Sequence, residues 1–445
     1  MSDHVKGRGY GRESVPSSSL VDRALGGSLT EAMLETHLDN GVRVLSEHIP
    51  GMRSAAIGVW IRQGAAHETE LDTGVSHLLE HMVFKGTERR TALEIADSLE
   101  ALGGSLDAYT SREHTSYQAR VLDEHVPIAL DVLSDLVLAP RLEDGDLDLE
   151  REVVLEEIAQ VEDTPDDLVF EKHSERLWAG HPYGRSILGT KESVSAMAGA
   201  TLRELHGRRY VGQNLVVAAA GNVEHDDFVA RVNSHFQAVS MGERGVQVAH
   251  PTGTIAGVER IERSTTQTHI VFGAEAPAHS SADRYPLILL SSVLGGGMSS
   301  RLFQKVREEL GLCYSVFTFQ SFYRSAGMVG VYVGTRPATA EQASEAVRGE
   351  LTRAANEGLT EADLQRIKQQ VKGQVMLSLE STGARLHRLA SFALHDEPFR
   401  GLDDVLARID AVTPDDILRV AGQYFDPARH LELRLGPDET RAGAG

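Results

Sequence analysis

Residues 77–81 read His-Leu-Leu-Glu-His, and this run constrains the chain more than any other feature of the sequence. On a helix, two histidines four residues apart lie on one face, about 5–6 Å apart, so both imidazoles can bind one metal ion. Glu80 lies at the same rim and can reach a water on that metal without being a ligand. The order H-x-x-E-H is the inverse of the H-E-x-x-H helix of most zinc peptidases.

The alternative interpretation is a surface amphipathic helix whose two histidines bind nothing. The flanking residues favour the metal site, because Leu78, Leu79 and the run 82–84 (Met-Val-Phe) make the segment largely apolar and predict that it is buried. Buried imidazoles need polar partners or a metal. The sequence therefore predicts a metal-binding helix here.

The size and charge of the chain limit its class. With 445 residues, the chain is long for one hydrophobic core and fits two domains of about 200 residues each. Its apolar content of 41% and charged content of 24% are typical of a soluble globular protein. No apolar run reaches the roughly 18–20 residues that a membrane span needs. The net charge of −21 argues against a nucleic-acid partner.

The ends of the chain and its cysteine content bear on the expected cellular location. We expect residues 1–28 and 438–445 to be polar tails, the first of them disordered and without the features of a secretory signal. Cys313 is the only cysteine, which excludes an intrachain disulfide and fits a reducing cytoplasm. The sequence thus favours a cytoplasmic protein.

The two halves of the chain resemble each other. Residues 201–221 (TLRELHGRRYVGQNLVVAAAG) and 416–436 (DILRVAGQYFDPARHLELRLG) align without a gap at a separation of 215, and each predicts a helix, a turn and a strand. Strand hairpins alternate with helices in both halves, which predicts an α+β fold of two homologous α/β sandwich domains, each an antiparallel sheet packed with helices. We place the domains at 29–240 and 258–437, joined by a polar linker at 241–257.

Hydrophobic periodicity predicts the individual elements of each half. In the first half it predicts strands at 41–47 and 54–62, a strand pair at 105–121, and helices at 74–85, 91–102 and 146–160. In the second half it predicts strands near 267–273 and 312–334, and helices near 283–293, 299–310, 337–356 and 361–379.

The second half lacks the proposed ligands. Residues 300–305 align with residues 76–81 and read Ser-Arg-Leu-Phe-Gln-Lys, so both histidines and the glutamate are replaced. A feature needed only for packing would be expected in both copies. The motif therefore fits a site that belongs to the first half alone.

A third ligand is needed, because catalytic zinc usually has three protein ligands and a water. The predicted helix at 146–160 carries Glu150, Glu152, Glu156 and Glu157. Glu150 and Glu157 are two turns apart on one face, so that one could bind the metal while the other supports it. Spacing alone does not choose between Glu156 and Glu157, and a solvated acidic face explains Glu152 and Glu156 equally well.

These residues resemble the pitrilysin-like inverzincin family of zinc metallopeptidases, above all its shorter members: the β subunit of mitochondrial processing peptidase and its bacterial relatives. The resemblance extends from about residue 35 to nearly the end of the chain. It rests on the segments 77–87 (HLLEHMVFKGT), 104–110 (GSLDAYT), 150–157 (EREVVLEE), 181–184 (HPYG) and 295–314.

The resemblance implies a pitrilysin-like fold and one zinc ion per chain. It places the third ligand at Glu157, beside His77 and His81, and matches Glu150 to a second carboxylate that assists catalysis. It also implies that Arg307 and Tyr314 act on the substrate, since their R-x6-Y spacing is similar to a pair that grips substrate carbonyl groups in insulin-degrading enzyme. From the residues alone, Arg307 would be a surface helix residue and Tyr314 a core strand residue.

Larger members of the family hold four such domains in a closed chamber. A chain with two domains is therefore expected to form a homodimer, in which Arg307 and Tyr314 serve the zinc site of the partner chain. A related non-catalytic subunit, as in the mitochondrial enzyme, is the alternative partner.

The function that follows as a hypothesis is a bacterial zinc endopeptidase, with Glu80 as general base and Tyr314 assisting the oxyanion. The peptide would bind extended, as an added strand at Leu106, Asp107, Ala108 and Tyr109, where Asp107 stands in place of the Asn that relatives often have. Extended peptides or unfolded segments are the expected substrates. The alternatives are a non-catalytic scaffold or peptide-binding subunit of the same fold, and a metal-dependent hydrolase of non-peptide substrates.

Overall fold

The computed structural model describes residues 33–437, so the tails predicted at 1–28 and 438–445 lie outside the described residues. The first half contains the strands β1 (Met33–His37), β2 (Arg43–His48), β3 (Ser54–Ile61), β4 (Ser105–Thr110), β5 (Thr115–Leu122) and β6 (Leu215–Gly221). Its helices are α1 (Val75–Val83), α2 (Ala92–Glu100), α3 (Val126–Leu138), α4 (Asp144–Asp163), α5 (Pro165–Leu177), α6 (Lys191–Ala196), α7 (Gly199–Arg209) and α8 (His225–Phe236).

The second half contains the strands β7 (Gly257–Glu262), β8 (Thr268–Ala276), β9 (Cys313–Phe322), β10 (Gly327–Thr335) and β11 (Leu431–Gly436). Its helices are α9 (Arg284–Gly295), a π-helix (Phe303–Glu309), α10 (Ala340–Glu357), α11 (Glu361–Ser378), α12 (Thr382–His395), α13 (Leu402–Ala411) and α14 (Pro414–Tyr424). Across the described range, none of the helices has both the length and the apolar character that crossing a lipid bilayer requires.

Each half forms one sheet, and the two sheets have the same topology. The first has the strand order β1-β2-β6-β3-β5-β4 and the second has β7-β11-β8-β10-β9. Strands β7 to β11 thus repeat the arrangement of β2 to β6, with β1 added at one edge. Helices α7 and α14 begin at 199 and 414 and end at 209 and 424, which reproduces the separation of 215 found in the sequence. The predicted α+β fold with two homologous domains is confirmed.

The sheets differ from the prediction in one respect, because neither is purely antiparallel. Strand β6 pairs parallel to β2, and β11 pairs parallel to β7, while the other pairs are antiparallel. In each half, a long connection with several helices brings the last strand beside its parallel partner, β2 or β7, and a parallel pair requires such a crossover.

Most predicted elements are present with shifted ends. The segment near 299–310 is an exception, since Phe303–Glu309 forms a π-helix instead of a regular α-helix. The predicted strand region 312–334 is a hairpin of β9 and β10. Residues 240–256 contain no helix or strand, in the region where we placed the linker. The domain boundaries themselves remain a prediction.

The halves exchange helices, which the sequence did not predict. Helix α12 of the second half packs on the first sheet, where Leu386 and Leu389 contact Trp60 and the alanine-rich strand β6. Helix α5 of the first half packs on the second sheet through Leu168 and Val169. Hydrophobic periodicity shows which face of a helix is buried, but it does not show which sheet covers that face.

The arrangement of the first half places α1 beside α4 and next to the edge strand β4. The apolar residues of α1, among them Leu78 and Leu79, are fully buried in the core that lies on one face of the first sheet. Val154 of α4 belongs to the same core. The polar residues of α1 therefore face away from this core, towards α4 and β4.

The helix exchange leads to a stability prediction. Leu389 on α12 is 0% exposed, so Leu389→Ala should lower the free energy of unfolding by about 2–4 kcal/mol because it leaves a cavity against the first sheet. Urea unfolding would measure this loss. The control is Leu377→Ala, since Leu377 is 75% exposed on α11 and its loss should stay within about 0.5 kcal/mol. Equal losses in the two variants would contradict the role given to α12.

Candidate metal centre

The first turn of α1 is held by a buried carboxylate. The backbone N–H groups of Gly74 and Ser76 donate to the two oxygens of Glu68, each at 2.8 Å. These groups are among the N–H groups at the start of a helix that lack an intrahelical partner, and a negative charge there also opposes the helix dipole. Burial raises the pKa of Glu68 to about 7, while the two N–H bonds favour its charged form.

Helix α1 begins at a glycine because no other residue fits there. Gly74 has φ 91°, and a Cβ at this position would lie 2.6 Å from the carbonyl oxygen of Leu188. The segment after the His181–Gly184 turn packs against this helix start. In it, Ser193 donates to the carbonyl oxygen of Thr73 at 2.7 Å. Local contacts on both sides therefore fix the direction of α1.

Packing of α1 on α4 brings together His77, His81 and Glu157. One ligand atom from each lies within 4.8 Å of the others, and no other group of three potential ligands is found among residues 33–437. The Nε2 atoms of His77 and His81 are each 3.7 Å from an oxygen of Glu157. Glu156, which spacing left open beside Glu157, is exposed and lies outside this group.

Glu150 contacts the other side of His81. Its Oε2 lies 3.1 Å from His81 Nδ1, and its Oε1 forms an ion pair with Lys85. Glu150 is buried, and together with Glu157 it flanks one imidazole, as expected for two residues two turns apart on one helix face. A carboxylate on one ring nitrogen orients the imidazole and leaves the second nitrogen for a metal.

The charges at the site fit a divalent cation. The site contains three carboxylates, those of Glu80, Glu150 and Glu157. Lys85 supplies one ammonium group, which pairs with Glu150, so two negative charges have no cationic partner. Burial and the neighbouring His81 lower the pKa of His77 to about 4, so its ring is neutral, the form that binds metals. Two imidazoles and a carboxylate are a ligand set that suits zinc.

Glu80 is 9% exposed and lies beside this group. Thr110 donates from Oγ1 to Glu80 Oε2 at 2.6 Å. Burial raises the pKa of Glu80, and the Thr110 hydrogen bond acts in the opposite direction. A carboxylate with a raised pKa is a better proton acceptor, as a general base requires.

Thr110 is the last residue of β4, the strand at the outer edge of the first sheet. Strand β4 pairs with β5 on one side only, so its second edge offers backbone groups to an added strand. The predicted substrate residues lie on this strand: Leu106, Asp107, Ala108 and Tyr109. The side chain of Thr110 thus connects the free edge strand to Glu80.

Arg307 and Tyr314 contact each other in the second half. The Arg307 guanidinium lies 5.0 Å from the centre of the Tyr314 ring. Tyr314 is 77% exposed, so the expectation of a core strand residue was wrong, because β9 is the edge strand of the second sheet. Within residues 33–437, no hydrogen bond or ion pair joins either residue to the group around His77. Their roles remain predictions.

The equivalent positions of the second half have other partners. Gln304 donates to the carbonyl oxygen of Met298 at 2.7 Å, and Lys305 forms an ion pair with Glu309. Lys372, which aligns with Glu157, forms an ion pair with Asp410. The second half thus keeps the scaffold and uses these positions for surface contacts.

Sequence reasoning missed Glu68, Thr110 and Lys85 as parts of the site. Lys85 and Thr110 lie inside segments that carried the family resemblance, but nothing in their spacing linked them to Glu150 or Glu80. Glu68 lies a few residues before α1. A carboxylate just before a helix start is the one sequence signal from which this cap could have been inferred.

Sequence comparisons match two segments of the chain to two family descriptions. Residues 43–191 match the family described as Insulinase (Peptidase family M16), and residues 199–371 match the one described as Peptidase M16 inactive domain. An uncharacterized zinc protease of Mycobacterium leprae is 40% identical over 408 residues, which covers 90% of this chain and 91% of that protein. An uncharacterized zinc protease of Bacillus subtilis is 39% identical over 394 residues, which covers 88% of this chain and 96% of that protein.

Solved structures are similar over almost the whole fold. A protease from Helicobacter pylori has a TM-score of 0.84 at 21% identity, covering 92% of this chain and 100% of that one. A Pseudomonas fluorescens structure described as a peptidase M16 inactive domain has a TM-score of 0.86 at 20% identity, and the match covers 92% of this chain and 98% of that one. At these identities the likeness concerns the fold alone.

The cap on α1 gives a prediction about stability. In Glu68→Gln, the amide group would face one of the two N–H donors, so a buried hydrogen bond is lost and metal-free protein should lose about 1–3 kcal/mol of unfolding free energy. Denaturant unfolding of chelator-treated protein would measure it. Glu70→Gln is the matched control, because Glu70 is exposed two residues later. Indistinguishable unfolding of the two variants would show that the cap does not hold the helix.

Proposed function

Because the chain belongs to peptidase family M16, we propose that it is a zinc-dependent endopeptidase that cleaves extended peptides or unfolded polypeptide segments. The family and the names of the relatives indicate a zinc protease. The observation that carries the proposal is the group formed by His77, His81 and Glu157 with the buried carboxylate of Glu80 beside it. This grouping unites metal ligands and a proton acceptor in one place.

A zinc ion bound by His77, His81 and Glu157 would lower the pKa of a water towards 7 and polarise the scissile carbonyl group. In our proposal, Glu80 accepts the proton of the attacking water and later passes it to the leaving amine. Thr110 engages Oε2 of Glu80, so we assign Oε1 to the water. The burial that raises the pKa of Glu80 strengthens it as a base.

We assign Glu150 a positioning role within this mechanism. Its carboxylate is held by Lys85 and contacts His81 Nδ1, which keeps His81 Nε2 directed towards Glu157. A rotated imidazole would offer the wrong nitrogen to the metal. Glu150 therefore supports catalysis through His81 and not by contact with the substrate.

The substrate would pair with the free edge of β4 (Ser105–Thr110). Backbone pairing of this kind recognises an extended conformation more than a particular sequence, which is why unfolded segments are the proposed substrates. Asp107 is exposed on this strand and would lie against a substrate side chain. The pairing strand and Glu80 are in contact, because Thr110 is the last residue of β4 and its hydroxyl donates to Glu80.

We further propose that the active assembly is a homodimer, with Arg307 and Tyr314 acting on the zinc site of the partner chain. The exposed ring of Tyr314 supports this, as does Met298, which is 76% exposed in the segment before the π-helix. Tyrosine and methionine are both enriched in protein–protein interfaces relative to the rest of the surface. A heterodimer with a related subunit is the alternative.

The single cysteine fits our proposal of a bacterial cytoplasmic location.

The general-base role leads to the first functional prediction. Glu80→Gln should keep stoichiometric zinc and lose at least about 100-fold in kcat on a quenched peptide, because only the proton acceptor is removed. Zinc content by metal analysis and cleavage by fluorescence would measure the two effects. A chelator should abolish wild-type cleavage, and added zinc should restore it.

The control for Glu80→Gln is Glu152→Gln, which removes the same charge from an exposed position of α4. It should leave zinc content and kcat unchanged. Undiminished cleavage by Glu80→Gln would contradict the proposal, and so would freshly purified wild-type protein without zinc. The second of these results would favour a non-catalytic peptide-binding subunit of the same fold.

The proposed dimer can be tested by complementation. Tyr314→Phe removes the oxyanion donor and should lose about 100-fold in kcat. Mixing it with Glu80→Gln allows mixed dimers in which one site has Glu80 from one chain and Tyr314 from the other. Activity should then return to about one quarter of the wild-type value, because half the dimers are mixed and each holds one intact site. No recovery after subunit exchange would mean that Tyr314 acts within its own chain or not at all.

A further inference from the structure

A second charged cluster lies at the junction of the two halves, apart from the residues of the candidate metal centre. Asp396 follows helix α12 (Thr382–His395) in a left-handed conformation, with φ 54°. Its Oδ1 lies 3.2 Å from Arg43 and 3.0 Å from Arg62. Its Oδ2 forms ion pairs with Arg244 and Arg324. Four guanidinium groups therefore share one carboxylate.

These arginines come from different parts of the chain. Arg43 begins β2, Arg62 directly follows β3, and both belong to the first half. Arg244 lies in the segment without regular structure, and Arg324 lies in the turn between β9 and β10. The cluster thus joins both halves and the segment between them at one point.

The charges in the cluster do not balance. Carbonyl oxygens at the end of α12 accept from Arg62 and Arg324, at 2.7 and 3.0 Å for that of Leu394, but they carry no full charge. Two other carboxylates lie nearby. Glu113 accepts from the backbone N–H of Arg324 at 2.9 Å, and Glu35 forms an ion pair with Arg43 at 2.8 Å. Four guanidinium groups against the carboxylates of Asp396, Glu113 and Glu35 leave one positive charge in excess.

This excess is costly because the cluster is partly shielded from water. The side chain of Arg62 is 10% exposed, and that of Arg324 is 25% exposed. Buried charges are normally paired, and the desolvation of an unpaired one is a large penalty. Burial, against the effect of Asp396 and together with the neighbouring arginines, lowers the pKa of Arg62 to about 10. An added anion would relieve this repulsion.

A cavity of about 40 Å³ opens directly beside the cluster. Its lining includes three arginines, three histidines and one carboxylate: Arg62, Arg244, Arg324, His67, His114, His395 and Glu113. Since one water needs roughly 10–15 Å³ of such space, the cavity has room for about three waters or for one small oxyanion. Burial holds the histidines neutral, with the pKa of His67 lowered to about 4 and that of His114 to about 3.

We propose that this cavity is a binding site for a small oxyanion, a carboxylate or a phosphate. Guanidinium groups present planar pairs of N–H donors that match both anions, and neutral imidazoles can donate or accept further hydrogen bonds. The anion supplies the missing negative charge between Arg62, Arg244 and Arg324. By contacting both halves, it also fixes their mutual packing.

One of the two sources of the oxyanion is the substrate itself. Tyr109, on the free edge strand β4, has its hydroxyl oxygen 3.2 Å from Nε2 of His114, which lines the cavity. A peptide paired with β4 and running towards the turn before β5 would bring a terminal carboxylate to this end of the sheet. This source rests on the proposed peptidase function, whereas phosphate binding does not depend on it.

Titration calorimetry with inorganic phosphate, on zinc-loaded protein with chloride keeping the ionic strength constant, tests the site. Wild type should bind phosphate with a Kd of about 1 mM or below. Arg244→Gln should weaken binding at least about 10-fold, because this guanidinium is 41% exposed and can be replaced without disturbing the core. Phosphate held by zinc alone would not respond to this substitution.

The matched control is Arg203→Gln, which removes an arginine of similar exposure, 46%, paired with Asp144. It should bind phosphate as wild type does. Asp396→Asn removes the carboxylate that competes with the anion and should tighten binding several-fold, so one variant weakens and another strengthens the same site. A wild type that binds no phosphate, or equal binding by wild type and Arg244→Gln, would overturn the proposal and leave the cluster as a clasp between the halves.

Cleavage of matched peptides, with a free C-terminal carboxylate or a C-terminal amide, distinguishes the sources. If the substrate supplies the anion, the amide should raise KM about 10-fold in wild type, leave kcat unchanged, and have no effect on KM in Arg244→Gln. Equal KM values together with phosphate binding would support the site with free phosphate as its ligand. If no peptide is cleaved, the peptidase proposal fails, and the phosphate titration still decides the anion site.

Discussion

The packing of helix α1 (Val75–Val83) on helix α4 (Asp144–Asp163) is the contact on which the candidate metal centre depends. Leu78 and Leu79 bury one face of α1 in the core of the first half, and Val154 places α4 in the same core. The opposite face of α1 is then left against the acidic face of α4. Each helix alone would carry an ordinary set of polar residues, whereas together they form a group of three ligands.

This packing also explains why the site has such unusual charge. Placing Glu80, Glu150 and Glu157 close together costs electrostatic free energy, which Lys85 offsets only in part. A divalent cation would remove the remaining repulsion, so metal binding and the stability of this region should be coupled. The buried cap of Glu68 also stabilises this region, because it holds the start of α1 whether or not the metal is bound.

The residues of the site that lie close in sequence were predictable. His77, Glu80 and His81 follow from helical spacing, and the repeat at a separation of 215 predicted the fold of both halves. The choice between Glu156 and Glu157 was not predictable from spacing, because it depends on the rotation of α4 against α1. Long-range contacts were likewise missed, namely the exchange of α5 and α12 between sheets and the four arginines around Asp396. Those arginines lie between 72 and 353 positions from Asp396 in the sequence.

Anomalous X-ray diffraction at the zinc absorption edge, from crystals of protein purified without added metal, would show whether His77, His81 and Glu157 bind zinc. We expect one strong peak per chain in the first half, about 2.0–2.2 Å from a ring nitrogen of His77, a ring nitrogen of His81 and an oxygen of Glu157. Glu150 should lie on the far side of the His81 ring, outside contact with the metal. Crystals that show no anomalous peak there, or a peak bound by Glu150 in place of Glu157, would contradict this expectation.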